Sequence, residues 1–300
     1  MRLLFSILRW LLVTTTGRGY DRSNWINSLH HKIAYRLHKL LPRFGIAGLQ
    51  RVTTQALHGK HLYVHAEDGG VGHQFIMYHE YEPYETQLLQ KYLKPGITVY
   101  NIGANLGYYM LIASDCVGPK GHVYGFEPAL NNLSLLRRTL SENQLTNTTI
   151  MDCAVGAEDG QAMLSLSPTN SGDHQLSANS GRDQVSVQVR SIDSLIESGL
   201  PQPDAIIMDV QGSELDVLHG MSKLLSKGKP TLMLTEFWPK GIEARHPNGA
   251  DEFVRILCGA GFSDLAIDSR LRQVLPLTSL QKESGYSFSE INLLCLREKV

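Results

Sequence analysis

The stretch that most constrains the fold is residues 97–109, ITVYNIGANLGYY. β-Branched and aromatic residues run up to Asn101, and Gly103, Asn105 and Gly107 follow at alternate positions. A helical apolar pattern then takes over. This reads as a buried strand, a tight glycine turn and a helix start, which lets backbone N–H groups and a helix N-terminus approach a nucleotide-type cofactor. Glycine removes the Cβ that would block a ligand and permits positive φ. A glycine turn used only for packing is the plainer alternative at this point.

The rest of the chain repeats that rhythm. Strands are expected at 97–102, 122–127, 149–155, 205–210 and 231–237, with helices near 106–115, 129–143, 213–226 and 250–260. Leu133, Leu136 and Leu140 fall on one face of the second of these helices. Between 156 and 200 the pattern is less regular, with β-like segments at 161–166 and 185–190 around a Ser/Asn/Gly-rich loop at 167–183. Alternating strands and helices predict an α/β fold with a mostly parallel sheet covered on both faces. Two late strands, 264–268 and 291–297, have no convincing helix between them and are expected to pair antiparallel.

Ahead of this region, residues 24–43 carry Ile26, Leu29, Ile33, Leu37 and Leu40 at helical spacing. His30, Lys32, Arg36 and Lys39 form the other face, read either as a solvated basic face or as contact with anionic lipid or an acidic substrate. Residues 53–83 alternate around turns such as Asp68-Gly69-Gly70, suggesting short antiparallel strands, and 85–93 read as a helix stopped by Pro95-Gly96. The start, MRLLFSILRWLLV, is too short and too charged to span a membrane, and Arg9 argues against a secretion signal. An interfacial amphipathic segment fits it, with a terminal helix packed on its own domain as the alternative.

A chain of 300 residues holds one large domain, or one domain plus an extension. The boundary is placed at 1–80 for the N-terminal helix and β lead-in, and 81–300 for the main domain. A formal net charge of −1 provides no basic field for nucleic acid. Cys116, Cys153, Cys258 and Cys295 are scattered, so neither a zinc site nor a disulfide scaffold is indicated. Cys153 and Cys295 sit in apolar runs and read as core.

Four further elements carry chemistry. Glu127 ends strand 122–127 in VYGFEP, 24 residues beyond Gly103, where a carboxylate accepts hydrogen bonds from ribose hydroxyls. Asp152, in IMDCAVG, ends the next strand, where it is read either as an acceptor for an adenine amine or as a turn residue. In AIIMDVQGSELDVL, an apolar strand delivers Asp209 to the carboxyl edge, and Gln211 to Glu214 open a helix. Asp209 therefore faces the reaction centre or caps the helix. LTEFWP brings Glu236, Phe237 and Trp238 to the same edge, where the aromatics pack around a cation or belong to the core.

Together VYNIGANLGYY, GFEP, IMDVQGSELDVL and TEFWP resemble the FkbM family of S-adenosylmethionine-dependent methyltransferases, over about residues 80–297. The resemblance implies a Rossmann-like, seven-stranded class I methyltransferase sheet with a closing antiparallel hairpin, here with an N-terminal helical/β extension. It implies O-methyl transfer from S-adenosyl-L-methionine to a hydroxyl of a sugar, polysaccharide or natural product. Asn101, Gly103, Asn105, Gly107, Glu127 and Asp152 are then expected to hold the cofactor, and Asp209 and His174 to act at the acceptor. His246 is a further candidate base, and no metal is required. Asn101 stands where the family usually has Asp, and Gln211 where it usually has Glu. The competing readings are a non-catalytic member acting as a binding protein and a dinucleotide-dependent oxidoreductase. A cytoplasmic protein with peripheral membrane contact through its N-terminal helix is expected.

Overall fold

The computed structural model describes residues 5, 7, 25–176, 181–269, 272–282, 285–286 and 288–297. The N-terminal segment read as interfacial lies outside the described residues, apart from Phe5 and Ile7.

Eight strands form the central sheet: β1 (Thr98–Ile102), β2 (His122–Phe126), β3 (Thr148–Met151), β4 (Ala205–Met208), β5 (Leu232–Phe237), β6 (Phe262–Asp268), β7 (Gln273–Pro276) and β8 (Ile291–Arg297). Their spatial order is β7-β6-β8-β5-β4-β1-β2-β3. Strands β1 to β5 run parallel, and β8 is inserted antiparallel between β5 and β6. The two closing strands thus pair antiparallel as expected, and β7 adds an edge strand to the expected seven.

The continuous apolar runs of β1 and β4 follow from burial on both faces. On one face lie helices Tyr108–Val117 and Leu130–Glu142, together with the N-terminal segments. On the other lie Ile192–Glu197, Glu214–His219, Ser222–Ser226 and Gly249–Gly259. Leu133, Leu136 and Leu140 are buried as the periodicity predicted, and so are Cys153 and Cys295.

From β1 the chain winds outward to β2 and β3, then returns to β4 on the other side. A cleft opens beyond the strand ends at such a reversal. Gly103 makes the tight packing there feasible. Its φ is +81°, and a Cβ on it would overlap the carbonyl oxygen of Asp209.

Several boundaries differ from the sequence reading, each for a local reason. Residues 71–78 are helical rather than extended, because the Asp68 carboxylate accepts from the N–H groups of Gly70 (2.9 Å) and Gly72 (3.0 Å) and starts a helix. The antiparallel pair of the lead-in is Leu49–Val52 with Leu62–His65. The helix expected at 213–226 breaks at Gly220, where a side chain would overlap the Gly156 carbonyl. The third strand ends at Met151, and Ala154–Val155 joins a separate four-stranded sheet with Gly160–Leu166, Gln175–Leu176 and Asp183–Arg190. Helix Trp25–His38 buries Ala34 and His38 and leaves Ile33 exposed beside Lys32, Arg36 and Lys39. No helix among the described residues is long and apolar enough to cross a membrane.

Gly103→Ala is expected to destabilise the fold by about 3 kcal/mol or more, since it adds both a clash and a strained φ. Denaturant unfolding measures this, and a loss below about 1 kcal/mol would contradict the packing described.

Candidate active site

The cleft lies over the carboxyl ends of β1, β2 and β4 and is lined by Asn101, Gly103, Asn105, Glu127, Asp209 and Gln211, among others. Glu127 is 4% exposed, and both of its oxygens accept backbone hydrogen bonds. Oε2 receives the Asn105 N–H and Oε1 the Ala129 N–H, each at 2.8 Å. Each carboxylate oxygen has a second lone pair, so the group retains capacity for ligand hydroxyls. Burial pushes the Glu127 carboxyl up to about 7, against the lowering effect of these hydrogen bonds.

Asn105 takes positive φ (49°) and donates from Nδ2 to the Ser171 carbonyl at 2.8 Å. Asn101 is 2% exposed, and its Oδ1 has no hydrogen-bond partner. Gly107 is the N-cap of helix Tyr108–Val117, packed against Leu136, and does not line the cleft. Asp152 is not brought to the cleft either. It is half exposed and ion-paired with Arg137, and Ala154 and Val155 supply the lining on that side.

The β4 side is strongly acidic. Gln211 takes φ of 52° and donates from Nε2 to Asp209 Oδ1 at 2.7 Å and to Glu236 Oε2 at 3.1 Å. Glu214 is fully buried; its Oε1 accepts from the N–H groups of Val210 (3.1 Å) and Gly212 (3.2 Å), and its Oε2 has no partner. One ligand oxygen from each of Asp209, Glu214 and Glu236 lies within 4.8 Å of the others, so these three could hold a divalent cation. Burial raises the Asp209 carboxyl, which hydrogen bonds from Gln211 and Glu236 lower in part. Burial, then the charge of Asp209, raises Glu236 far more. The two buried carboxyls oppose each other's ionisation, and Gln211 bridges them.

Behind this pair stands Glu82. It accepts from the Tyr109 hydroxyl and, at 3.2 Å, from Asn292 Nδ2. Tyr81 and Tyr109 line the cleft beside Asp209. Phe237, by contrast, stacks on Phe253 in the core, its ring centroid 5.3 Å away. Trp238 packs over Gly241.

The segment 169–176 roofs the cleft. The Ser171 carbonyl receives Asn105 and Asn132, its hydroxyl donates to Asp68 at 2.5 Å, and Arg245 donates to the Leu176 carbonyl. His174 lines the cleft within this roof, and burial lowers its pKa. Its Nδ1 accepts the Ser167 N–H at 3.0 Å, so the neutral ring carries its proton on Nε2 and presents a donor. His246 lies outside the lining and pairs with Asp216 at 2.8 Å.

Glu82, Tyr81, Tyr109 and Asn132 were not among the residues singled out from the sequence. Glu82 sits before the glycine turn, and its helical neighbour Pro83 was the one local signal there. Gln211, standing where the family usually has Glu, is a donor shared by two acids.

The raised carboxyls set the pH dependence of stability. A carboxyl whose folded pKa exceeds its unfolded value, about 4.3 for Glu, leaves the native state with more bound protons. Stability is then full below the unfolded value and falls as pH rises through the folded one, about 7 for Glu127. The melting temperature of the ligand-free protein is therefore expected to fall by about 5 °C or more between pH 5.5 and 8.5. Glu127→Gln should flatten that fall, and a flat or rising profile in the parent protein would contradict the burial of these acids.

The family described as "Methyltransferase FkbM domain" matches residues 101–268, more than half of the chain. A hexuronic acid methyltransferase, AglP, of Haloferax volcanii is 27% identical over 143 residues. That match covers 46% of this chain and 56% of AglP, so the chain spans just over half of that relative. Among solved structures, Methyltransferase FkbM of Methylobacillus flagellatus is 18% identical with a TM-score of 0.46, covering 92% of this chain and 62% of that one. The O-methyltransferase TomG of Streptomyces achromogenes, solved with its cofactor, is 12% identical with a TM-score of 0.43, covering 72% and 79%. The family match spans the glycine turn, Glu127 and the Asp209–Gln211 segment together, and this chain belongs to the FkbM family of S-adenosylmethionine-dependent methyltransferases.

Proposed function

We propose that this methyltransferase acts on a hydroxyl of a sugar unit, in a glycan or a glycosylated natural product. The observation that carries the reading is Asp209, which lines the same cleft as Asn101, Asn105 and Glu127 and is linked through Gln211 to Glu236 behind it. S-adenosylmethionine supplies an electrophilic methyl group on a sulfonium centre. Glu127 and the turn at Gly103–Asn105 hold the nucleoside part, and the roof excludes water. A hydroxyl must lose its proton as its oxygen bonds to the methyl carbon and the carbon–sulfur bond breaks. Asp209, the carboxyl of this pair that lines the cleft, accepts that proton. Tyr81 and Tyr109 offer aromatic faces with hydroxyl handles, which suit a sugar ring. His174 donates from Nε2 to a ligand oxygen. The relative named as a hexuronic acid methyltransferase supports a sugar acceptor.

The test is transfer of a labelled methyl group to a panel of neutral, amino and acidic sugars, with phenols and peptides alongside. Methylation of a sugar hydroxyl is expected. Asp209→Asn should lower kcat by about 100-fold or more while S-adenosylhomocysteine still binds. Transfer to phenols or peptides with none to any sugar would overturn the acceptor assignment, and an unchanged kcat in Asp209→Asn would overturn the base.

A further inference from the structure

Charge is divided unevenly along this chain. The whole carries 28 Lys and Arg against 29 Asp and Glu, yet residues 1–66 hold ten Lys and Arg and a single acid, Asp21. No acid stands between Asp21 and Glu67. Helix Trp25–His38 and the short 3₁₀ turn after it, Leu41–Phe44, lie inside that basic stretch. Lys32, Arg36, Lys39 and Arg43 recur there at spacings of four, three and four, which brings them onto one face. All four are exposed. The opposite face packs into the protein through Ala34, His38 and Leu41, which are buried. The first acids beyond the stretch, Glu67 and Asp68, act on buried His38. Among the described residues, no carboxylate pairs with any of the four exposed cations.

Apolar groups stand beside this stripe. Ile33, next to Lys32 on the helix, is 40% exposed. Phe5 packs on Phe44 of the turn, with ring centroids 5.7 Å apart, and Ile7 is 47% exposed. Exposed cations mixed with exposed aliphatic groups suit a surface that is anionic outside and apolar just beneath, which describes a bilayer of anionic lipid. A nucleic-acid backbone would use the charges and leave the isoleucines in water. The same helix is tied to the cleft. The Tyr35 ring lies against Gly69, whose N–H donates to the Thr169 carbonyl at 2.8 Å, and neighbouring Asp68 accepts the Ser171 hydroxyl. Thr169 and Ser171 belong to the roof.

We propose that the face formed by Lys32, Arg36, Lys39 and Arg43 docks this methyltransferase on an anionic lipid surface, with Ile33 entering the headgroup layer beside it. The docking helix packs on the turn that holds the roof, so the cleft is kept close to that surface. Neither the cofactor nor the acceptor enters the reading, and its failure would leave the sugar acceptor untouched.

Sedimentation of the full chain with lipid vesicles tests it. Vesicles of phosphatidylcholine with phosphatidylglycerol should bind at least about tenfold more tightly than phosphatidylcholine alone, and the difference should shrink as salt is raised. Neutralising the stripe, with Lys32→Gln, Arg36→Gln, Lys39→Gln and Arg43→Gln combined, should weaken binding to the anionic vesicles by at least about tenfold. Ile33→Ser with the stripe intact should weaken it by about threefold. S-adenosylhomocysteine affinity within about twofold of the parent's reports that both variants fold. Binding of the parent protein to neither vesicle, equal binding to both, or anionic-vesicle binding that survives loss of the four charges would overturn the proposal. So would an Ile33→Ser variant that binds like the parent, or tighter binding of the parent to a duplex oligonucleotide than to the vesicles, since the stripe would then serve a phosphate backbone rather than lipid.

Discussion

The site depends on one buried carboxylate. Glu127 ends β2, yet it holds the backbone of the turn that leaves β1 and the start of the helix that follows β2. Without those two bonds the Asn105 and Ala129 N–H groups would need other partners at a crowded place beside the sheet. That crowding is visible at Gly103, where no Cβ fits against the Asp209 carbonyl. The turn is shaped from both neighbouring strands. A group held this way presents its remaining lone pairs in a fixed direction, which is what recognition of a ribose diol requires.

Around this anchor the cleft separates two tasks. The β1–β2 side offers hydrogen-bonding groups, with charge confined to Glu127. The β4–β5 side concentrates carboxyls whose ionisation is mutually opposed. Gln211 stabilises that concentration because its amide nitrogen donates to two acids at once. A glutamate there would add a third acceptor and no donor. The roof completes the arrangement, since Ser171 ties the glycine turn, through Asn105, to Asp68 of the N-terminal lead-in. The lead-in is thereby part of the site's construction.

Much of this was legible in the sequence. The buried strands announced themselves as apolar runs, and the glycine turn, Glu127 and Asp209 followed from where such runs end. What stayed hidden was the set of contacts made by distant segments. Glu82 reaches the site only because the chain ahead of β1 folds back beside β8, where Asn292 meets it. Asp152 looked like a strand-end ligand, but Arg137 on the preceding helix draws it to the surface. His174 looked like a loop base, and only the Ser167 N–H shows which ring nitrogen carries the proton. Phe237 and Trp238 shared an edge with Glu236, yet Phe237 stacks on Phe253 in the core and Trp238 packs over Gly241. Residue identity revealed the elements, whereas the direction each polar group faces depended on partners far along the chain.

The most direct measurement is the structure of this protein with S-adenosylhomocysteine bound. The account predicts ribose hydroxyls on the Glu127 carboxylate, with that carboxylate still accepting the Asn105 and Ala129 N–H groups, and the thioether sulfur on the Asp209 side of β1. A ribose held away from Glu127, or a turn that rearranges to admit it, would contradict the account.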